Sequence, residues 1–193
     1  GKLITARTTD ELVENLKETE YYAPLKKIKD TDNVTLYDYN LALDLYYYTS
    51  TWKEQKKILK KSDLELFMRD RGSKIDLLNI QWIYRAKKYY NMKPADIYLM
   101  LIPIHYKLST ELVKDMVEAP GVEEFENVVI RTTYARHYNF KQNLTMEQMY
   151  ADCLHHLYTA DRRKNPYSVS AINTYLFLKE EELKKLTTAM ECI

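Results

Sequence analysis

Apolar residues recur along this chain at spacings of three and four, and period-two alternation is not sustained over any stretch. The pattern therefore predicts helices nearly everywhere and an all-α protein. Thr8-x-x-Glu11 is a capping-box signature ahead of Leu12, Val13 and Leu16. A second helix is expected after Thr35, with Leu36, Asn40, Leu43 and Tyr47 on one face. Ser62-x-x-Glu65 predicts a short helix ending at Arg71-Gly72, after which Ser73 would cap a new helix over residues 75–90. Pro94 suits the first position of a helix reaching Ile102, and Pro103 stops it. Ser109 would cap residues 111–117. Ala119-Pro120-Gly121 then breaks the chain before a helix near residues 122–138. Thr145-x-x-Gln148 opens another, and Asn165-Pro166 the last.

Two of these segments resemble each other. IDLLNIQWIYRAKKYY at 75–90 has a weaker copy, AINTYLFLKEEELKKL, at 171–186, which places Leu78-Asn79 opposite Ile172-Asn173, 94 positions later. Glu11-Leu12-Val13 recurs as Glu111-Leu112-Val113, 100 positions later. The order of elements is the same in both, so the chain is read as helical repeats. Ile75, Leu78, Trp82 and Ala86 fall on one face of the first copy, while Arg85, Lys87 and Lys88 reach outward at its end, where positive charge suits the helix dipole. In the second copy Ile172, Leu176, Leu183 and Leu186 form a similar stripe, flanked by Glu180, Glu181, Lys184 and Lys185. Glu181 and Lys185 stand at a supportive i,i+4 spacing. Periodicity alone makes both copies core helices, with Asn79 and Asn173 as buried hydrogen-bonding groups where helices of a repeat meet.

The length of 193 residues allows one helical domain with a substantial core or two small ones, and 46% hydrophobic residues argue against disorder. Lys plus Arg at 29 nearly balances Asp plus Glu at 28, so no global charge favours a polyanion. The 18 tyrosines beside Lys and Arg invite a base-stacking role, but balanced charge favours their filling gaps between helices instead, and no nucleic acid is expected. Cys153 and Cys192 are too few for a disulfide scaffold or a four-ligand zinc site. No apolar run approaches the ~20 residues needed to span a bilayer, and no signal peptide precedes Thr5. The expectation is a soluble chain with no direct bilayer insertion, cut from a longer protein.

Catalytic chemistry finds little support. No phosphate-cradling Gly-rich loop is present, so no bound nucleotide or other cofactor is expected. Asp152-Cys153-Leu154-His155-His156 is the one cluster of ligand-type residues. On a helix it could approach a metal locally, but no second cluster completes the set, and a small buried thiol with partly exposed imidazoles is the plainer reading. His105 and His137 stand without a nucleophile at motif spacing.

In the first copy, Asp76, Asn79, Arg85 and Lys87 spell acidic-x-x-Asn-x-x-x-x-x-Arg-x-Lys. This phrase resembles the one repeated in the C subunit of bacterial and archaeal V/A-type rotary ATPases, whose counterpart in eukaryotic V-ATPases is the d subunit. TTDELVENLKETEYY at 8–22 is similar to an upstream helix of that family, and Tyr175, Leu176, Lys179, Glu180 and Glu182 are similar to its closing phrase. The resemblance covers most of the chain. It implies a pseudo-symmetric, funnel-like all-α bundle with residues 1–100 as the family's middle repeat and 101–193 as its last, the N-terminal repeat and a short C-terminal tail being absent. It implies a non-catalytic rotor socket on the cytoplasmic face of the membrane, held there through its complex, with the central-stalk subunits and the membrane proteolipid ring as partners. Arg85, Lys87 and Lys88 then read as partner contacts or as solvated helix-end charges. Two departures stand out. Tyr89-Tyr90-Asn91 replaces the family's glycine, where Asn91 could adopt the left-handed conformation. The loop after Pro103 reads Ile104-His105-Tyr106-Lys107. The alternative to a rotor socket is a helical-repeat adaptor that binds another protein through its concave face.

Overall fold

The computed structural model describes residues 2–30, 34–137, 145–162 and 167–191, and among these every regular element is helical. The chain forms two compact units, Gly1–Lys57 and Ile58–Ile193.

The first unit holds α1 (Lys2–Thr5), α2 (Thr9–Asn15), α3 (Tyr22–Lys29) and nearly all of α4 (Leu36–Ile58). The capping box forms as expected at α2: Thr8 Oγ1 accepts from the Glu11 N–H at 3.2 Å, and Glu11 Oε2 reaches back to the Arg7 N–H at 3.0 Å. Thr35 and Asp38 do the same work at α4, where Asp38 Oδ2 accepts from the Thr35 N–H at 2.8 Å and from its hydroxyl at 2.7 Å. These bonds hold the Asp38 carboxyl below its ordinary pKa. Val13 and Leu25 are buried, whereas α4 buries no residue fully.

The second unit is organised around α5 (Lys61–Lys88), followed by α6 (Pro94–Met100), α7 (Thr110–Glu118), α8 (Val122–Ile130), a 3-10 turn (Tyr134–His137), α9 (Met146–Arg162) and α10 (Val169–Glu191). Helix α5 packs against α7, α8, α9 and α10, while α7 pairs with α8 and α9 with α10. Its core joins Leu77, Ile80 and Ile83 of α5 to Met116 of α7, Phe125 of α8 and Met149 of α9. Pro94 occupies the start of α6, and Ser109 Oγ accepts from the Leu112 N–H at 3.2 Å to cap α7. At α9 the capping box closes in both directions: Thr145 N–H donates to Gln148 Oε1 at 2.8 Å, and Gln148 N–H to Thr145 Oγ1 at 3.2 Å.

Several sequence expectations need correction. The two helices divided at Gly72-Ser73 are one continuous helix of 28 residues, capped at Lys60 rather than Ser62. Gly72 is a site of close approach instead of a terminator: a Cβ there would lie 2.6 Å from Tyr106 Cγ. Ser73 lies inside the helix and is buried. The helix expected to 138 stops at Ile130, where the Thr132 hydroxyl donates to the Val129 carbonyl at 2.7 Å and competes with continued winding. The helix opening expected at Asn165-Pro166 lies outside the described residues, and α10 begins at Val169. Beyond α5, Asn91 does take the left-handed conformation, with φ of 46°, and the Met92 N–H returns to the Ala86 carbonyl at 3.0 Å.

Candidate functional site

The motif residues of α5 turn inward onto the backbone that follows them. Asp76 is fully buried and gathers four donors: the Tyr106 N–H at 3.0 Å, the Lys107 N–H at 2.6 Å, the Leu108 N–H at 3.2 Å and the Tyr134 hydroxyl at 2.7 Å. Three successive loop amides thus close around one carboxylate, which satisfies groups that have no helix or sheet to join. Burial, and then the neighbouring Asp76 charge, push the Tyr134 hydroxyl far above its ordinary pKa, so it is held as a donor.

One turn on, Asn79 is also fully buried and uses both ends of its amide on one residue. Its Nδ2 donates to the Ile102 carbonyl and its Oδ1 accepts from the Ile102 N–H, each at 3.0 Å. This is the strand-like pairing a peptide group would make, supplied by a side chain. Asn173 in the second copy is only half-buried.

Lys87 does not reach outward as the pattern suggested. Its Nζ donates to the Val117 carbonyl at 2.7 Å and the Ala119 carbonyl at 2.6 Å, closing the open C-terminal end of α7. Burial lowers its pKa. Arg85 and Lys88 do stay at the surface. Arg85 lies 3.9 Å from Glu147, half exposed, and the Lys88 ammonium bonds the Tyr84 hydroxyl and sits over the Tyr84 and Tyr89 rings. The bond to Tyr84 raises the Lys88 pKa.

Nearer its start, α5 meets α10 through a second polar contact. Asp70 accepts from Arg69 Nη2 at 2.8 Å and from the Ser170 hydroxyl at 3.2 Å. Burial outweighs Arg69 here and raises the Asp70 pKa. The Thr174 hydroxyl reaches the Tyr158 carbonyl at 2.6 Å, and Tyr158 stacks on Phe177 with ring centroids 4.6 Å apart, fixing α9 to α10. Asp70, Tyr134, Ser170 and Thr174 carried no signal in the sequence, because the partner that each meets on another element lies 16 to 100 positions away.

The closing phrase lies elsewhere. Tyr175, Lys179, Glu180 and Glu182 are all exposed on the outer side of α10. Lys179 pairs with Glu182 at 2.6 Å, and Lys184, rather than Lys185, pairs with Glu180 and Glu181 at 3.6 and 3.5 Å. The stripe expected to be core, Ile172, Leu176, Leu183 and Leu186, is exposed. The helix instead buries Ser170, Thr174 and Phe177.

A cavity of about 260 Å³ opens among Arg69, Ser73, Lys107, Tyr134, Cys153 and His156. Of its cations, Arg69 pairs with Asp70 at 2.8 Å, and the Lys107 ammonium sits over the Tyr106 ring. Cys153 is half-buried, and burial, with a smaller contribution from Asp152, pushes its thiol up to about 11. His155 and His156 are exposed, and no group of His, Cys, Asp and Glu able to hold a metal occurs among the described residues.

The fold and the polar seam define an all-α helical module whose buried acid and amide and partly buried ammonium are used on its own loops and helix ends. The family is shown by comparison with known proteins. A family model described as "ATP synthase (C/AC39) subunit" matches residues 1–193, and the chain belongs to that family. Among curated proteins it is similar to the C subunit of the A-type ATP synthase of Methanosarcina mazei, 32% identical over 134 residues covering 69% of this chain and 35% of that one. It is similar to that of Methanobrevibacter smithii, 27% identical over 194 residues covering 95% of this chain and 50% of that one. The Methanosarcina barkeri protein is 28% identical over 134 residues, 69% and 35% of the two chains. The matches span half or less of these relatives' lengths. No solved structure matches, and no helix among the described residues is long and apolar enough to cross a membrane.

Proposed function

We propose that this chain is part of a non-catalytic rotor socket, coupling the central-stalk subunits of a rotary ATPase to the membrane proteolipid ring. In that role it sits on the cytoplasmic face of the membrane and is held there by its partners. Family membership supports the reading. The observation that carries it further is the use made of the motif residues. Asp76, Asn79 and Lys87 fix a loop and a helix end to one long helix. A part that transmits torque needs such stiffness and needs no nucleophile or bound nucleotide.

Residues 1–100 and 101–193 are, in this reading, two successive repeats. Supporting it, burial recurs 94 positions apart at Asp76 and Ser170, Ile80 and Thr174, and Ile83 and Phe177. Arg85 of the motif and the neighbouring Lys88, both exposed at the end of α5, are the cations this reading assigns to a partner contact.

The test is titration of the purified central-stalk heterodimer from the same organism with this chain, and with a longer chain that adds the preceding repeat. Saturable binding of the longer chain that weakens with salt is expected. A folded longer chain that does not bind at concentrations on the order of tens of micromolar would overturn the coupling role and favour a general protein adaptor.

A further inference from the structure

Residues 53–61, KEQKKILKK, hold five lysines against a single acid, Glu54. All five lysines are exposed, and among the described residues none of them makes an ion pair or a side-chain hydrogen bond. Elsewhere lysines find partners: Lys29 meets Glu14, Lys179 meets Glu182, and Lys184 meets Glu180 and Glu181. The charge of this segment is unspent within the chain.

Its own helices do not account for it. Lys53, Lys56 and Lys57 stand on one face of α4 at spacings of three and four, where like charges repel. Lys56 and Lys57, in the last turn, do suit the helix dipole. Lys60 and Lys61 do not: they occupy the N-cap and first position of α5, the positive end of that helix, and the Lys60 side chain caps nothing.

Unpaired positive charge selects an anionic occupant, and the surroundings select its kind. All five cations are lysine and none is arginine. Lysine is depleted in protein interfaces, where the planar arginine fork is preferred. The lysine face of α4 continues back through Thr49 and Ser50, whose hydroxyls bond carbonyls of their own helix, so it offers no apolar centre for a protein partner to bury. Beside it lies half-buried Trp52, with the Lys56 ammonium 5.2 Å from its ring centroid. Flexible lysines next to an amphipathic indole suit a layer of mobile anionic headgroups, which needs charge and no fixed shape.

We propose that the lysine segment at residues 53–61 binds the anionic headgroups of a phospholipid bilayer directly, resting on the surface without crossing it. The inference stands on this segment and does not depend on the rotor reading.

The test is sedimentation of the 193-residue chain with vesicles of phosphatidylcholine alone, and with vesicles containing roughly one-third phosphatidylserine. Binding to the anionic vesicles that weakens with salt, and little to the neutral ones, is expected. Each lysine near an anionic surface contributes about fivefold, so K53Q/K56Q/K57Q should weaken binding on the order of 100-fold while keeping the parent circular dichroism. K17Q/K93Q/K185Q makes the same change of net charge at other exposed lysines and should bind as the parent does. No binding to the anionic vesicles, equal binding to both kinds, or equal losses in the two triple variants would overturn the proposal. So would a Glu-rich helical peptide that binds the parent more tightly than the vesicles do and is lost with K53Q/K56Q/K57Q, which would give the segment to an acidic protein.

Discussion

Replacing Asp76 by Asn removes one charge and almost no volume, which isolates what the carboxylate does for the loop at residues 106–108. In the best orientation the remaining oxygen takes the place of Oδ2 and keeps the Lys107, Leu108 and Tyr134 donors, while the new amide NH₂ faces the Tyr106 N–H. Three charge-assisted bonds become neutral ones at a loss of about 1 kcal/mol each, and one orphaned amide adds about 1–3 kcal/mol. Relief from burying a charge offsets part of this, leaving a net cost of about 2–4 kcal/mol. The assay is equilibrium urea unfolding followed by the fluorescence of Trp82, on α5, with Trp52 changed to Phe so that the signal reports the second unit alone. Tyr134→Phe in the same background should cost about 1–2 kcal/mol. The double variant should be less unstable than the sum, since both changes break one shared bond. A loss below about 1 kcal/mol for Asp76→Asn, or strict additivity with Tyr134→Phe, would refute the argument that the carboxylate holds the loop.

Other outcomes follow from the same contacts. Gly72→Ala gains about 1 kcal/mol of helix propensity yet should destabilise the chain in thermal melts, because the new methyl meets the Cβ and Cγ at the base of Tyr106, whose backbone Asp76 holds in place. Asp70→Asn should be tolerated far better than Asp76→Asn at neutral pH. A carboxyl whose folded pKa is raised contributes stability that is fully present below its unfolded value and is lost as pH rises through the folded one. The variant should flatten that decline in urea curves taken upward from the ordinary aspartate range. In a Cys192→Ser background, the Cys153 thiol should react with a disulfide reagent at pH 8 many times more slowly than a free thiol, with its rate still climbing toward pH 11.

The helical class and most helix starts were legible because their causes are local. Thr8 with Glu11, Ser109, and Thr145 with Gln148 each cap a helix through residues three positions apart, a distance the sequence displays directly. Asn91 was legible for the same reason. Gly72 misled because a glycine within a helix looks the same whether it ends the helix or admits a neighbour, and that neighbour, Tyr106, is 34 residues away. Lys87 misled in a related way: positive charge at a helix end ordinarily meets solvent, and only the fold brings the carbonyls of Val117 and Ala119 within its reach. The α10 stripe has the periodicity of a core face, and periodicity alone does not say whether the rest of the chain packs on it.

The Asp76 contacts also set a timescale for the loop they hold. The Tyr106, Lys107 and Leu108 amides lie outside any helix, where exchange with deuterated solvent is ordinarily quick. Here their protons point into a buried carboxylate carried by a helix roughly 42 Å long at 1.5 Å per residue. Peeling the loop away strands that charge, so opening should require the whole second unit to come apart. Mass spectrometry of exchanged peptides should find these three amides as slow as those in the middle of α5, a loop as long-lived as its helix.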